Sequence, residues 1–241
     1  MNFKIILLAI FGVFLTVGIF KLTTLIRSKW NFPLLNPVML SIVGIIIILK
    51  ITGLDFEDYN HGGNLLSFFL GPSIVALGVF FFEKYKEVKK NLYAFLTSIF
   101  VGGITGIVSV VVILLLFQVP QVIINSLAAK SVTTPIAIEI TKSLNGIPEI
   151  TAGIVIAVGV FGNAIGPFFL RSCGIYSTKA VGTALGTAAH GIGTAKAMEI
   201  DKLAGVYSGL AMCVNGVITA IFAPLILEIL QNYGIFIADL G

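Results

Sequence analysis

The sequence predicts an all-α, polytopic membrane protein with about six to eight transmembrane helices, in which two broken or re-entrant segments form an internal repeat. Hydrophobic residues make up 57% of the 241 residues and charged residues only 11%, and long uncharged stretches alternate with short basic clusters. Soluble domains average about 45–50% apolar and about 25% charged residues. The composition therefore excludes a soluble enzyme, a disordered chain and a nucleic-acid-binding protein, although the isoelectric point is about 9.1.

The ordinary spans follow from length, because a hydrocarbon core about 30 Å thick needs roughly 20 apolar residues in a helix. The first stretch resembles a signal peptide, but no small-x-small cleavage site follows it, so we expect it to be retained. Residues 1–241 are expected to form a single membrane domain, with amino-terminal spans over 1–120 and a duplicated core over 121–241. The predicted spans are Ile5–Phe20, Trp30–Leu49, about Asn64–Phe82, one within Asn91–Ala129, Ile150–Leu170 and Leu203–Leu227.

Loop charges predict the orientation. Basic clusters follow the first and third spans, and an acidic loop at residues 55–58 lies between them. Because basic loops stay cytoplasmic, we expect the amino terminus and the acidic loop to lie outside. The basic residues are Lys21, Arg27, Lys29, Lys84, Lys86, Lys89 and Lys90.

Two further segments, Val122–Gly146 and Ser177–Lys202, carry charge, glycine and hydroxyl residues in their middle. Residues 128–140 align with residues 188–200 at an offset of 60, with six of 13 positions identical. Such internal duplication is a feature of transporters. If both segments are re-entrant hairpins, they enter from opposite faces and leave Arg171 and Lys179 cytoplasmic, which the charge rule favours. If both cross fully as broken helices, the two copies are parallel; the sequence leaves both arrangements open.

Each segment contains a predicted helix start inside the membrane. Thr134 followed by Pro135 has the residue types of an N-cap and a first helical position, and Thr194 ends a loose glycine-containing stretch. Such a start directs free N–H groups and a positive dipole end at whatever lies in front of it. We therefore predict a midplane pocket for a small carboxylate. Its predicted binding residues are Lys130, Ser131, Thr133, Thr134, His190, Gly191, Gly193 and Thr194.

Two glutamates follow the predicted helix starts. Glu139 and Glu199 could carry a proton or cation that accompanies the anion, because an ionisable residue inside a membrane is costly. Alternatively, each pairs with a nearby lysine, Lys142 for Glu139 and Lys202 or Lys196 for Glu199. The residues expected to have structural roles are Pro72, Pro135, Asn163 and Asn215.

Catalytic and metal sites are not predicted. The chain has two histidines and no second metal ligand at helical spacing from either. It also lacks His-Glu-x-x-His and Gly-x-Ser-x-Gly. We therefore expect no enzyme activity, no metal and no cofactor.

Three segments resemble the LrgB/CidB family of bacterial membrane proteins, and the resemblance covers essentially the whole chain. Phe80–Phe82 departs from the Pro-Leu-Tyr-like run that is more common in relatives. Related sequences form the carboxy-terminal part of the plastid glycolate/glycerate translocator. The segments are Leu70-Gly-Pro-Ser-Ile-Val-Ala-Leu77, Lys130-Ser-Val-Thr-Thr-Pro135 and Gly186-Thr-Ala-Ala-His-Gly-Ile-Gly-Thr194, the last followed by Ala197-x-Glu199.

The resemblance implies a multi-pass protein of the bacterial plasma membrane and two functions. One is secondary transport of small monocarboxylates of the pyruvate, glycolate, glycerate and lactate class, with an effect on autolysis. The alternative is antiholin-like regulation of murein hydrolase activity and cell lysis without transport. The expected partners are a small carboxylate anion, the lipid bilayer, an LrgA/CidA-type small membrane protein and further copies of the chain, with no nucleic acid.

Overall fold

The computed structural model describes residues 3–30, 36–69, 72, 79, 82 and 85–233. These described residues form helices and connecting turns, with no strand among them, as the predicted fold class requires. The chain divides into two compact units, residues 1–82 and residues 83–241. The division expected at residues 120 and 121 therefore falls inside the second unit.

The first unit contains α1 (Phe3–Lys29), α2 (Pro37–Thr52) and α3 (Phe56–Phe68). Helix α2 begins at Pro37 because the Asn36 side chain accepts hydrogen bonds from two backbone N–H groups of its first turn. Helices α1 and α3 pack closely where Gly12 faces Gly62, and Thr16 and Tyr59 share a hydrogen bond of 2.8 Å there.

Helix α3 begins earlier than the third predicted span, at Phe56 instead of Asn64. The acidic residues expected in a loop instead form its first turn, where Glu57 and Asp58 complement the positive end of the helix dipole. The rest of the predicted span lies largely outside the described residues. Pro72 is described as helical and exposed, but Gly71 and Ser73 are not described, so the kink expected at this proline stays a prediction.

The second unit contains three long apolar helices that match predicted spans. Pro148–Ser172 and Lys202–Asn232 are a few residues longer than expected, and Leu92–Leu116 lies within the predicted stretch Asn91–Ala129. Together with α1 they are the helices of the described residues that are long and apolar enough to cross a membrane, and α2 is a shorter apolar helix. The helices of the second unit are α4 (Tyr85–Lys89), α5 (Leu92–Leu116), α6 (Gln121–Leu127), α7 (Thr134–Ser143), α8 (Pro148–Ser172), α9 (Thr178–Ile200) and α10 (Lys202–Asn232).

The three long helices alternate in direction. Helices α5 and α10 run parallel, because the Phe95 and Tyr207 rings near their starts are 5.3 Å apart and Gly103 faces Asn215 further along both. Helix α8 runs the opposite way: α9 follows it after a short turn and packs back along it, with Leu185 against Gly166. The second unit therefore crosses the membrane three times.

Helices α6 and α7 form a re-entrant hairpin, here called hairpin 1 (residues 121–143). The side chain of Asn125 in α6 donates to the Leu144 carbonyl at 2.7 Å, and the Ile147 N–H donates to Ser126 Oγ at 2.7 Å. The chain thus returns after α7 to the level at which it entered α6. Buried Ala129 and Val132 lie in the turn between the two short helices.

Helix α9 forms a second hairpin, hairpin 2 (residues 178–200), because its backbone is non-helical at Ala189 and His190. Before the break it runs parallel to α10, since Gly182 lies against Ala204 and Gly186 against Ser208. After the break it runs back, and Thr194 reaches the same Ser208 through a hydrogen bond of 3.0 Å. Hairpin 2 therefore begins and ends at the same face.

The two hairpins enter from opposite faces because one crossing, α8, separates them. The face from which hairpin 2 enters carries Arg171, Lys179 and Lys202 as well as Asp201, and it is called the basic face. The opposite face carries Glu149 and Glu228 as well as Lys142. This is the arrangement that the charge rule favoured, and the basic face is the one expected in the cytoplasm.

Candidate functional site

A cavity of about 1020 Å³ lies in the second unit, between α5, the tip of hairpin 1, α8 and the first half of α9. It extends from Asn91 and Ser177 at the basic face to Lys130 and Ser131 at the midpoint of the long helices. Much of its wall is alanine, glycine and aromatic side chain. Of the residues that the structure describes, two lysines and no acidic residue line it, so this lining is electropositive.

Lys130 lies at the end of this cavity farthest from the basic face. The alanine and valine neighbours of Lys130 are fully buried and hold the turn of hairpin 1 in place. Lys130 itself is half-buried, and its side chain extends out of this turn. Its ammonium group donates to the adjacent Ser131 Oγ at 3.2 Å. Among the described residues no carboxylate lies within ion-pair distance of Lys130. A cation at this depth therefore faces a space that an anion can enter.

Two asparagines on the long helices hold the hairpin tips. Asn215 of α10 donates to the carbonyls of Ser131 at 3.3 Å and Thr187 at 3.0 Å, so it joins both hairpins. Asn163 of α8 donates to the carbonyl of Ile192 at 3.1 Å. The bonds from Asn215 satisfy carbonyl groups that the turn of hairpin 1 and the break in hairpin 2 leave free at membrane depth. The bond from Asn163 ties the resumed helix of hairpin 2 to α8.

His190 occupies the tip of hairpin 2, but its side chain does not line the cavity. The ring points at α8, where Nε2 lies 3.0 Å from the Val155 carbonyl and only 4% of the residue is exposed. Gly159 leaves the space that the ring fills. Lys130 and His190 are equivalent in the sequence repeat, yet only Lys130 faces the cavity.

The predicted N-cap of the helix after Lys130 is wrong by one residue. The N-cap is Thr133, whose side chain makes no capping bond, while Thr134 is the first helical residue and exposed Pro135 the second. Proline fits there because its missing N–H would be unbonded in any first turn. Both threonines are half-buried, and neither lines the cavity.

Thr194 does not cap a helix either. Its Oγ1 donates to the carbonyl of His190 at 2.9 Å, inside a helix that resumes directly after the break. His190 itself adopts a positive φ of 42°, so the chain turns without a separate cap. Gly193 is buried against Leu185 and Gly191 is exposed, and neither lines the cavity.

The two glutamates lie away from the cavity and have lysine partners. Glu139 accepts from Lys142 at 2.8 Å, and Glu199 accepts from Lys196 at 2.9 Å. Both glutamate side chains are exposed. Each glutamate therefore pairs with a nearby lysine, as the alternative interpretation expected. That either glutamate carries a proton or a cation together with the anion stays a prediction.

The sequence patterns did not predict that the first half of α9 forms one wall of the cavity. Lys179, Thr183 and Thr187 recur every four residues and line the cavity from its entrance to the hairpin tips. The Lys179 ammonium lies 6.0 Å from the centre of the Tyr207 ring, which also lines the cavity. The four-residue spacing of polar side chains on one helix face was visible in the sequence and could have identified this wall.

A sequence model of the LrgB-like family matches residues 16–229. The chain belongs to the LrgB-like family. The match includes both hairpins and every residue that lines the cavity. This LrgB-like protein is 32% identical to the holin-like protein CidB of Staphylococcus epidermidis over 219 residues, which cover 91% of this chain and 96% of that protein.

The chain is also 32% identical to the antiholin-like protein LrgB of Bacillus mycoides over 216 residues, which cover 89% of this chain and 94% of that protein. The antiholin-like protein LrgB of Bacillus cereus matches with the same identity and coverage. No solved structure matches the chain. The relatives and the long apolar helices together identify a multi-pass membrane protein.

Proposed function

We propose that this protein acts in the holin/antiholin-like control of cell lysis at the bacterial plasma membrane. The support is the name of its relatives, holin-like CidB and antiholin-like LrgB, which match nearly their whole length. In this role the protein modulates murein hydrolase activity without converting a substrate, and it works with a small membrane partner of the LrgA/CidA type.

The molecular activity we propose behind this role is secondary transport of a small monocarboxylate of the pyruvate, glycolate, glycerate and lactate class. One observation carries it: a cavity runs from the basic face to Lys130, where hairpins from opposite faces meet. Discontinuous helices meeting near the midplane are the usual construction of a transporter site. The lysine supplies the charge, and the apolar wall accommodates the carbon atoms of the acid.

Uptake of labelled pyruvate and glycolate into proteoliposomes tests the transport proposal. Lys130→Gln should lower uptake by about tenfold or more, because a hydrogen bond to a charged group contributes about 1.5–3 kcal/mol. Lys202→Gln is the matched control, since Lys202 is exposed and lies outside the cavity. Failure of the purified wild-type protein to transport any acid of this class would contradict the proposal.

A regulator that does not transport is the second candidate, and the names of the relatives favour it. Here the protein acts through helix contacts with its partner, and the charge at Lys130 has no role. Lysis in cells distinguishes the two candidates: Lys130→Gln changes lysis if transport underlies the role and leaves it intact if contacts alone suffice. Co-purification of the small partner with both variants controls for assembly.

A further inference from the structure

We propose that the cavity holds two successive anion sites, one at Lys179 at its entrance and one at Lys130 at the hairpin tips. The inference rests on the proposed transport function and deepens it by adding a site at Lys179. The anion is a carboxylate of two or three carbon atoms. It binds first at the basic face and then moves to the hairpin tips.

The entrance is built around the start of α9. Lys179 is the second residue of this helix, is half-buried and lines the cavity beside Ser177 and Asn91. Its ammonium lies 6.0 Å from the centre of the Tyr207 ring, and Tyr207 is only 1% exposed. The aromatic ring therefore orients the lysine at the entrance without neutralising its charge.

The local charges at this entrance add rather than cancel. A helix begins with a positive dipole end, where acidic residues are favourable and a lysine is not. Helix α9 has no acidic residue in its first turn, and its N-cap Ser177 makes no side-chain capping bond. An anion at the entrance would therefore be attracted by the lysine and by free N–H groups together.

The backbones that carry the two lysines lie at different depths of the cavity. Thr187 lies eight residues after Lys179, roughly 12 Å along the helix at about 1.5 Å per residue. Thr187 shares the side chain of Asn215 with Ser131, the neighbour of Lys130. The Lys179 ammonium lies beside Tyr207 and the Lys130 ammonium beside Ser131, so each has its own surroundings in which to bind a carboxylate.

The wall between the lysines offers few donors that would hold an anion there. Thr183 donates to the carbonyl of Lys179 at 2.8 Å, and Thr187 donates to the carbonyl of Thr183 at 2.8 Å. On α5, Ser98 donates to the Ala94 carbonyl at 2.6 Å. Because these hydroxyl protons are already bonded, an anion is held at the two ends of the cavity and passes between them.

Initial uptake rates of labelled pyruvate and glycolate by proteoliposomes of zwitterionic lipid test the two sites separately. Lys179→Gln should raise KM roughly tenfold or more, keep the maximal rate, and weaken the dependence of KM on salt, because it removes electrostatic capture. Lys130→Gln should lower the maximal rate itself. Lys179→Arg should restore KM, and Lys202→Gln, which removes an exposed charge from the same face, should match the wild type.

The outcomes separate this inference from the function on which it rests. Wild-type transport with equal KM in Lys179→Gln and Lys202→Gln overturns the entrance site and leaves transport intact. A KM effect seen only in vesicles with anionic lipid also overturns it, because Lys179 then binds a headgroup. No uptake by the wild-type protein refutes transport itself. Equal elution of all variants as one species in size-exclusion chromatography ensures that folded proteins are compared.

Discussion

At the scale of single residues, the two positions that the repeat equates have diverged in what their side chains contact. Lys130 extends from a turn held by buried neighbours and ends in the cavity. His190 sits at a positive φ, and its ring is directed into the space that Gly159 leaves on α8. Equivalence in sequence therefore predicted that both residues lie at a hairpin tip, but the backbone angle determines which side chain faces the cavity.

Substitution of His190 separates backbone strain from side-chain contacts. Residues other than glycine that are held in such a conformation are destabilised by about 1–3 kcal/mol. His190→Gly relieves this strain but loses the hydrogen bond to Val155, whereas His190→Ala loses the bond and keeps the strain. We expect His190→Gly to lower the thermal midpoint in detergent less than His190→Ala. An alanine variant as stable as the glycine variant would contradict this account of the tip.

At the scale of elements, each hairpin depends on close contact with the long helices around it. In hairpin 2, a Cβ atom at Gly186 would meet the backbone carbonyl of Ser208, so α9 and α10 approach as closely as two backbones can. Small residues at helix contacts are a common means of packing in membranes, because no hydrophobic effect drives the helices together there.

Gly186→Ala should therefore destabilise the protein, by about 1–3 kcal/mol, the usual effect of overpacking. Gly153→Ala is the matched control: both residues are helical, and a Cβ at Gly153 meets nothing within 4 Å. Alanine is the better helix former by about 1 kcal/mol, so the control should be neutral or slightly stabilised. Thermal unfolding in detergent measures both, and an equal response of the two variants would disprove the close contact.

Much of this arrangement could be predicted from local sequence. Uncharged length located α5, α8 and α10, and the alignment of residues 128–140 with residues 188–200 located both hairpin tips. The patterns did not predict contacts that depend on three-dimensional packing. The bond from His190 to Val155 joins residues 35 apart in sequence, and Lys179 reaches Tyr207 on another helix.

At the scale of the whole molecule, the first unit packs α1 against α3, and the second unit contains the inverted hairpins and the cavity. Within the second unit the cavity runs from the basic face to the hairpin tips, while hairpin 1 enters from the opposite face. A smaller polar hollow of about 500 Å³ lies at that opposite face, between the ends of hairpin 1 and the end of α10. The two faces of the unit are therefore not equivalent.

Cysteine labelling of intact cells tests this inverted arrangement. In a Cys173→Ser, Cys213→Ser background, Gln121→Cys and Ser143→Cys place thiols at the two ends of hairpin 1, both lining the polar hollow. A membrane-impermeant maleimide should label both from outside, because the basic face stays in the cytoplasm.

The complementary pair lies at the basic face, where Tyr176 and Lys202 are exposed at the two ends of hairpin 2. Tyr176→Cys and Lys202→Cys should react only after the cells are permeabilised. If hairpin 1 crossed the membrane fully, Gln121→Cys and Ser143→Cys would label from opposite sides. If the unit had the reverse orientation, the two pairs would exchange behaviour. Labelling of one pair from outside and the other from inside requires two re-entrant hairpins related by a single crossing.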